Sequence, residues 1–162
     1  NFAENGWVYV YHAPDSANNS DPANFFSRVT RFTVEENNDI DPASEKVILT
    51  VPASREPDEP GHTGGNLDFD LQGNLLLGVG DDVNPHSEPS GGYAPLSERT
   101  NDPRMHDARA TSANTNDLRG KVLRIKPVHN IAADANPGVG STYNMPSGNM
   151  FPLGMAQTPL EI

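Results

Sequence analysis

Apolar and polar positions along this chain fall into short runs rather than long periodic stretches. Six runs rich in β-branched, aromatic or leucine residues stand out, at residues 7–12, 27–34, 46–51, 66–70, 74–79 and 120–126. Each is bounded by Gly, Pro, Asn or Asp, residue types that begin and end strands. No segment keeps a helical period over three turns. The pattern predicts β-strands joined by turns and no substantial helix. Asp41-Pro42-Ala43-Ser44-Glu45 reads as a tight turn just ahead of the third strand. With 14 Gly, 15 Pro and 35% hydrophobic residues, the composition fits a turn-rich, all-β chain with long loops.

Two of these runs form a hairpin. Leu71-Gln72-Gly73 separates residues 66–70 from 74–79, a three-residue turn containing glycine. If Asp70 pairs with Asn74, the same register carries back to set His62 opposite Asp82 and Thr63 opposite Asp81. Facing residues on paired strands have Cα atoms roughly 4.5–5.5 Å apart. An imidazole and one of two neighbouring carboxylates are therefore expected to meet at one rim of a sheet, the arrangement of an oriented general base. The competing reading of His62 is a polar rim residue that caps a loop. For Asp81 it is an Asx turn after a strand.

A weak internal repeat narrows the architecture. Asn5-Gly6-Trp7-Val8-Tyr9-Val10 is similar to Gln72-Gly73-Asn74-Leu75-Leu76-Leu77, and Ser27-Arg28-Val29-Thr30-Arg31-Phe32 to Gly120-Lys121-Val122-Leu123-Arg124-Ile125. Short strands in repeated units favour a β-propeller over a sandwich or barrel. The second unit is longer, and its excess falls in residues 81–119, on the same rim as His62. Long loops in compact domains are mostly functional or disordered. This one carries Tyr93, Arg99, Arg104, His106, Asp107 and Arg109, a set suited to covering a polar ligand. Six strands supply about one and a half to two propeller blades. The chain is therefore expected to be a fragment of a longer domain, with other blades or another chain completing it.

The formal charge is −11 and the isoelectric point about 4.6, which argues against nucleic acid as a partner. Strong acidity suits a secreted protein or a high-salt host, and equally a merely soluble surface. No cysteine is present, so disulfides and thiolate metal sites are excluded. His86, His106 and His129 are spaced too irregularly for a zinc motif. Asp82 and Asn84 offer oxygen ligands suited to calcium, or are simply solvated turn residues. Asn114, Asn116 and Asp117 read as side chains that satisfy loop backbone ahead of the strand at Gly120. Arg119 could reach an acidic ligand or cofactor, or form a cross-loop salt bridge. Trp7, Tyr9 and Tyr11 share one strand face, which reads as packing between sheets rather than a sugar platform.

Several stretches together resemble the glucose/sorbosone dehydrogenase family, soluble-type quinoprotein sugar dehydrogenases. They are Phe2-Ala3-Glu4-Asn5-Gly6-Trp7-Val8-Tyr9, His62-Thr63-Gly64-Gly65, the run from Gly73-Asn74-Leu75 to Gly80-Asp81, Ala113-Asn114-Thr115-Asn116-Asp117-Leu118-Arg119-Gly120-Lys121-Val122-Leu123-Arg124-Ile125, and Tyr143-Asn144-Met145-Pro146-Ser147-Gly148-Asn149-Met150-Phe151-Pro152. The resemblance implies a six-bladed β-propeller that binds pyrroloquinoline quinone (PQQ) and calcium, oxidises a sugar and passes electrons to an external acceptor. It also implies an extracellular, periplasmic or cell-surface setting. His62 matches the family's catalytic histidine and Asp81 the aspartate that orients it. The family's Arg-Asn-Pro cofactor motif would lie beyond Ile162, with the basic residues that clamp the quinone. Thr158-Pro159-Leu160-Glu161-Ile162 lacks the arginine usual in that stretch. Gly61 stands where glucose-oxidising members carry an acid that contacts sugar, so the substrate is left open between aldoses and related polyols.

Two other functions fit the same residues. A propeller segment without catalysis would serve as an extracellular binding or structural module. A calcium-dependent propeller lactonase would hydrolyse lactones without quinone.

Overall fold

The computed structural model describes residues 2–14, 26–53, 62–82, 108–109 and 111–150. A single helical turn, α1 (Phe2–Asn5), leads into β1 (Trp7–His12), β2 (Phe26–Val34) and β3 (Ile40–Pro52), and then β4 (Gly64–Phe69), β5 (Leu75–Val79), β6 (Lys121–Pro127) and β7 (Tyr143–Asn144). These strands form two antiparallel sheets, β1-β2-β3 and β4-β5-β6-β7. Among the described residues no helix is long and apolar enough to cross a membrane.

Alternation places the core. On β5, Leu75, Leu77 and Val79 are buried, and on β6 Leu123 and Ile125 are buried. The register sets Leu75 opposite Ile125 and Leu77 opposite Leu123, so one face of the second sheet is a continuous apolar layer. It belongs to the same cluster as Val29, Ile48, Leu49 and Val51 of the first sheet, with Leu118 and Tyr143. Each fully buried aliphatic side chain of this kind contributes about 1.5–3 kcal/mol.

β3 departs from the sequence reading. Asp41-Pro42-Ala43-Ser44-Glu45 does not precede the strand but lies inside it. Ladder pairing resumes beyond it, with Thr33 opposite Asp41 and Val34 opposite Ile40. The turn chemistry is present as a bulge. Asp41 Oδ1 accepts from the Ala43 N–H at 2.9 Å, and the Ser44 hydroxyl donates to the Asp41 carbonyl at 2.7 Å. Pro42 sits in this bulge, where no ladder donor is needed.

A second irregularity, between Val29 and Thr30 of β2, has a partner from far along the chain. The buried Thr142 hydroxyl donates to the Ile48 carbonyl at 2.6 Å, joining the first sheet to the segment that ends in β7. Arg31 donates to the Val128 and His129 carbonyls at 3.0 and 3.2 Å. The aromatic face of β1 does the rest. Trp7 meets His129, Tyr9 meets Phe69 edge-on, and the Tyr11 hydroxyl donates to the Thr63 carbonyl at 3.3 Å. The stripe of three aromatics packs the two sheets together.

Candidate functional site

The rim at the start of β4 and the end of β5 is built by glycine. Up to Asn66 the hairpin follows the expected register, with Phe69 opposite Leu75 and Asn66 opposite Gly78. Gly64, however, pairs with Val79, a register shift that makes Gly65 the extra residue of a bulge. Gly65 has φ +126°, and a Cβ there would lie 2.7 Å from the Tyr11 ring, so tyrosine and bulge need each other's shape. A Cβ on Gly80 would fall 1.8 Å from the His62 carbonyl oxygen. Only bare backbone lets the two chains approach this closely.

The bulge corrects the sequence register by one residue. His62 faces Asp81 rather than Asp82, with Nδ1 3.2 Å from Asp81 Oδ1. The backbone holds both residues in place: the Asp82 N–H donates to the His62 carbonyl at 3.0 Å and the Gly80 N–H to the Thr63 carbonyl at 3.3 Å. A carboxylate beside Nδ1 favours the tautomer with the proton on Nδ1 and the lone pair on Nε2. The His62 side chain is 44% exposed, so an incoming hydroxyl can be met there. An ion pair this open adds little to stability. What it does fix is the direction of the imidazole ring.

Asp82 turns the other way. It adopts φ +59°, and its carboxylate is buried against Arg119, with Nη1 3.1 Å from Oδ2. Arg119 also forks onto Asp117, through Nε to Oδ1 at 2.8 Å and Nη2 to Oδ2 at 2.6 Å. Burial alone would raise Asp117, but hydrogen bonds and charge from Arg119 outweigh it and hold the carboxyl below its usual range. Arg119 is raised, chiefly by its hydrogen bond to Asp117. Lys121 Nζ donates to the carbonyls of Thr111, Ser112 and Arg119 at 2.8–2.9 Å, and the Gly120 N–H donates to the Gly80 carbonyl at 2.7 Å. The segment before β6 is thereby fastened to the strand end that carries Asp81.

Of the sequence candidates, then, His62 and Asp81 come together, while Asp82 and Arg119 pair with each other just behind them. The Arg119 fork is occupied by two carboxylates rather than held open for a quinone. Asp82 faces a guanidinium, and among the described residues no group of three or more His, Asp or Glu could hold a metal ion. Among the described residues, no calcium or quinone site is assembled. Asn84, Gly61, Tyr93, Arg99, Arg104, His106 and the stretch from Thr158 to Ile162 lie outside the described residues, as does most of the 81–119 loop. Asn114 and Asp117 do cap loop backbone, accepting from the N–H of Asn116 and Arg119 at 3.0 and 2.9 Å. The brace from Tyr11 to Thr63 has no local sequence signal, because its two ends lie on different sheets.

Comparison with known proteins gives this rim a context. A solved glucose dehydrogenase is 19% identical over 99% of this chain and 33% of its own, with a TM-score of 0.55. Another is 21% identical over 88% of this chain and 32% of its own, at a TM-score of 0.49. At these identities the first of the two speaks for a shared fold alone, and the chain spans about a third of either structure's length. No curated protein matches the chain. A family model described as Glucose / Sorbosone dehydrogenase matches residues 1–155. That match runs through every described strand and through the bulged hairpin bearing His62 and Asp81, and the chain belongs to the glucose/sorbosone dehydrogenase family.

Proposed function

We propose that this chain contributes the base and its orienting carboxylate to a PQQ-dependent sugar dehydrogenase, within a six-bladed β-propeller of which it forms about one and a half to two blades. The observation that carries the proposal is the 3.2 Å contact between His62 Nδ1 and Asp81 Oδ1 at an exposed rim. His62 Nε2 takes the proton of a sugar's anomeric hydroxyl as that C–O bond becomes a carbonyl. The hydride leaves the same carbon for a two-electron acceptor. Asp81 steadies the imidazolium that forms. For the acceptor the family resemblance names PQQ with calcium, whose binding residues belong to the rest of the fold; the quinone supplies the redox chemistry when bound. The arrangement of Asp82, Arg119 and Asp117 keeps the strand end rigid while the base works. A periplasmic or extracellular setting, in keeping with the charge of −11, is part of the same proposal.

The test is kinetic. In the full-length protein loaded with PQQ and calcium, His62→Asn should lower kcat/KM for aldose-driven dye reduction by about 10²–10⁴-fold. Adding Asp81→Asn to His62→Asn should cost little more, because the carboxylate acts through the imidazole. Unchanged turnover in His62→Asn would sink the assignment. A wild-type protein that binds no quinone would point to a structural or binding module, and lactone hydrolysis without quinone to a lactonase.

A further inference from the structure

A second concave site lies at the opposite end of the sheets. Its lining includes Phe69 and Gly73, at the far end of the hairpin whose other end holds His62. At about 3.3 Å per residue, the strand separates the two by about 20 Å. The cavity measures about 300 Å³, the lower end of the range for small-molecule pockets. Half-buried Trp7 and Tyr9 line it together with the more exposed Phe2 and Phe69. Burial pushes the Tyr9 phenol up, with a hydrogen bond and charge from Arg31 pulling it partly back.

The charge of this cavity is unlike that of the molecule. The chain carries 22 acidic residues against 11 basic, yet none of the described lining residues is acidic, and Lys126 and His129 both line it. Lys126 Nζ donates to the Gln72 carbonyl. An ammonium has three donors, so this contact fixes the amine at the mouth and leaves donors for a ligand. Gly73 permits the placement: a Cβ there would lie 3.1 Å from Nζ. The Arg31 guanidinium lies 3.8 Å from the centre of the Trp7 ring, adding positive potential.

We propose that this cavity binds a small ring compound bearing a carboxylate, its ring lodged among the aromatic lining residues and its carboxylate on Lys126. The source is an aromatic acid or a sugar acid, which share that chemistry. The site is separate from His62 and does not depend on the dehydrogenase proposal.

Titration of the full-length protein with benzoate, glucuronate and neutral benzamide, followed by calorimetry, tests the idea. Saturable binding of benzoate or of glucuronate is expected, and whichever binds identifies the source. Lys126→Met should weaken that binding about tenfold or more, Lys126→Arg should largely retain it, and His62→Asn should leave it unchanged. Absence of saturable binding by both acids, equal binding of benzamide and benzoate, or full affinity in a folded Lys126→Met protein would overturn the proposal.

Discussion

The Asp70 carboxylate closes the β4–β5 turn by accepting from the Asn74 side chain at 2.7 Å and from the backbone N–H of Asn74 and Gln72 at 2.8 and 3.0 Å. Led by the Asn74 side-chain bond, these contacts and Arg124 hold its pKa at about 2, below the ordinary 3.8. Between those values the unfolded chain binds more protons than the folded one. This contribution to stability is therefore complete above about pH 4 and lost as pH falls toward about 2. Asp70→Asn should flatten that part of the acid-unfolding curve, followed by far-ultraviolet circular dichroism. Arg119 offers a harsher test. Arg119→Met would take the guanidinium away from the Asp82 and Asp117 carboxylates, Asp82 with a side chain only 2% exposed. Losing one partner of a buried pair costs about 3–5 kcal/mol, which urea unfolding would measure.

Among the elements, the bulged hairpin is the most sensitive. Gly65→Ala should destabilise the protein by about 1–3 kcal/mol from backbone strain alone, with further loss as the new methyl meets Tyr11. The unfolding midpoint should fall while the slope against denaturant stays constant. The same hairpin shows what a sequence can convey. β1 was readable to the residue, since Gly6 and the Ala13-Pro14 pair bracket an unbroken run. The strands β4 and β5 and the turn between them were readable from alternation and Gly73. The bulge was not, because Gly64-Gly65 looks the same whether the pair is a loop or an extra ladder residue, and the packing of Tyr11 from the other sheet decides it. Asp41–Glu45 failed for a related reason: its turn signal is local, but the strand around it is completed by pairing with β2. β7 is two residues long and defined only by its partners at Lys126 and Pro127, so no periodicity could announce it.

At the scale of the whole molecule, a net charge of −11 on 162 residues makes self-repulsion a steady load on the compact state. Raising the salt from 10 mM to 0.5 M sodium chloride at pH 7 should raise the Tm, because screening relieves that repulsion more than it weakens exposed pairs such as His62 with Asp81. A scanning calorimeter would show the direction. The sequence conveyed the charge fully; it could not convey how the sheets lean on one another, because Thr142 with Ile48 and Arg31 with Val128 join residues nearly a hundred positions apart. One last consequence concerns kinship. The contact of His62 with Asp81 is specified by a count of residues as well as by their identity. A relative that kept the histidine and both acids but gained one residue between that histidine and the Gly64-Gly65 pair would score as intact letter by letter. Its strand would nevertheless be out of phase by one, with the imidazole turned to the other side of the sheet. A single insertion that touches no atom of the pair can therefore part the imidazole from its carboxylate.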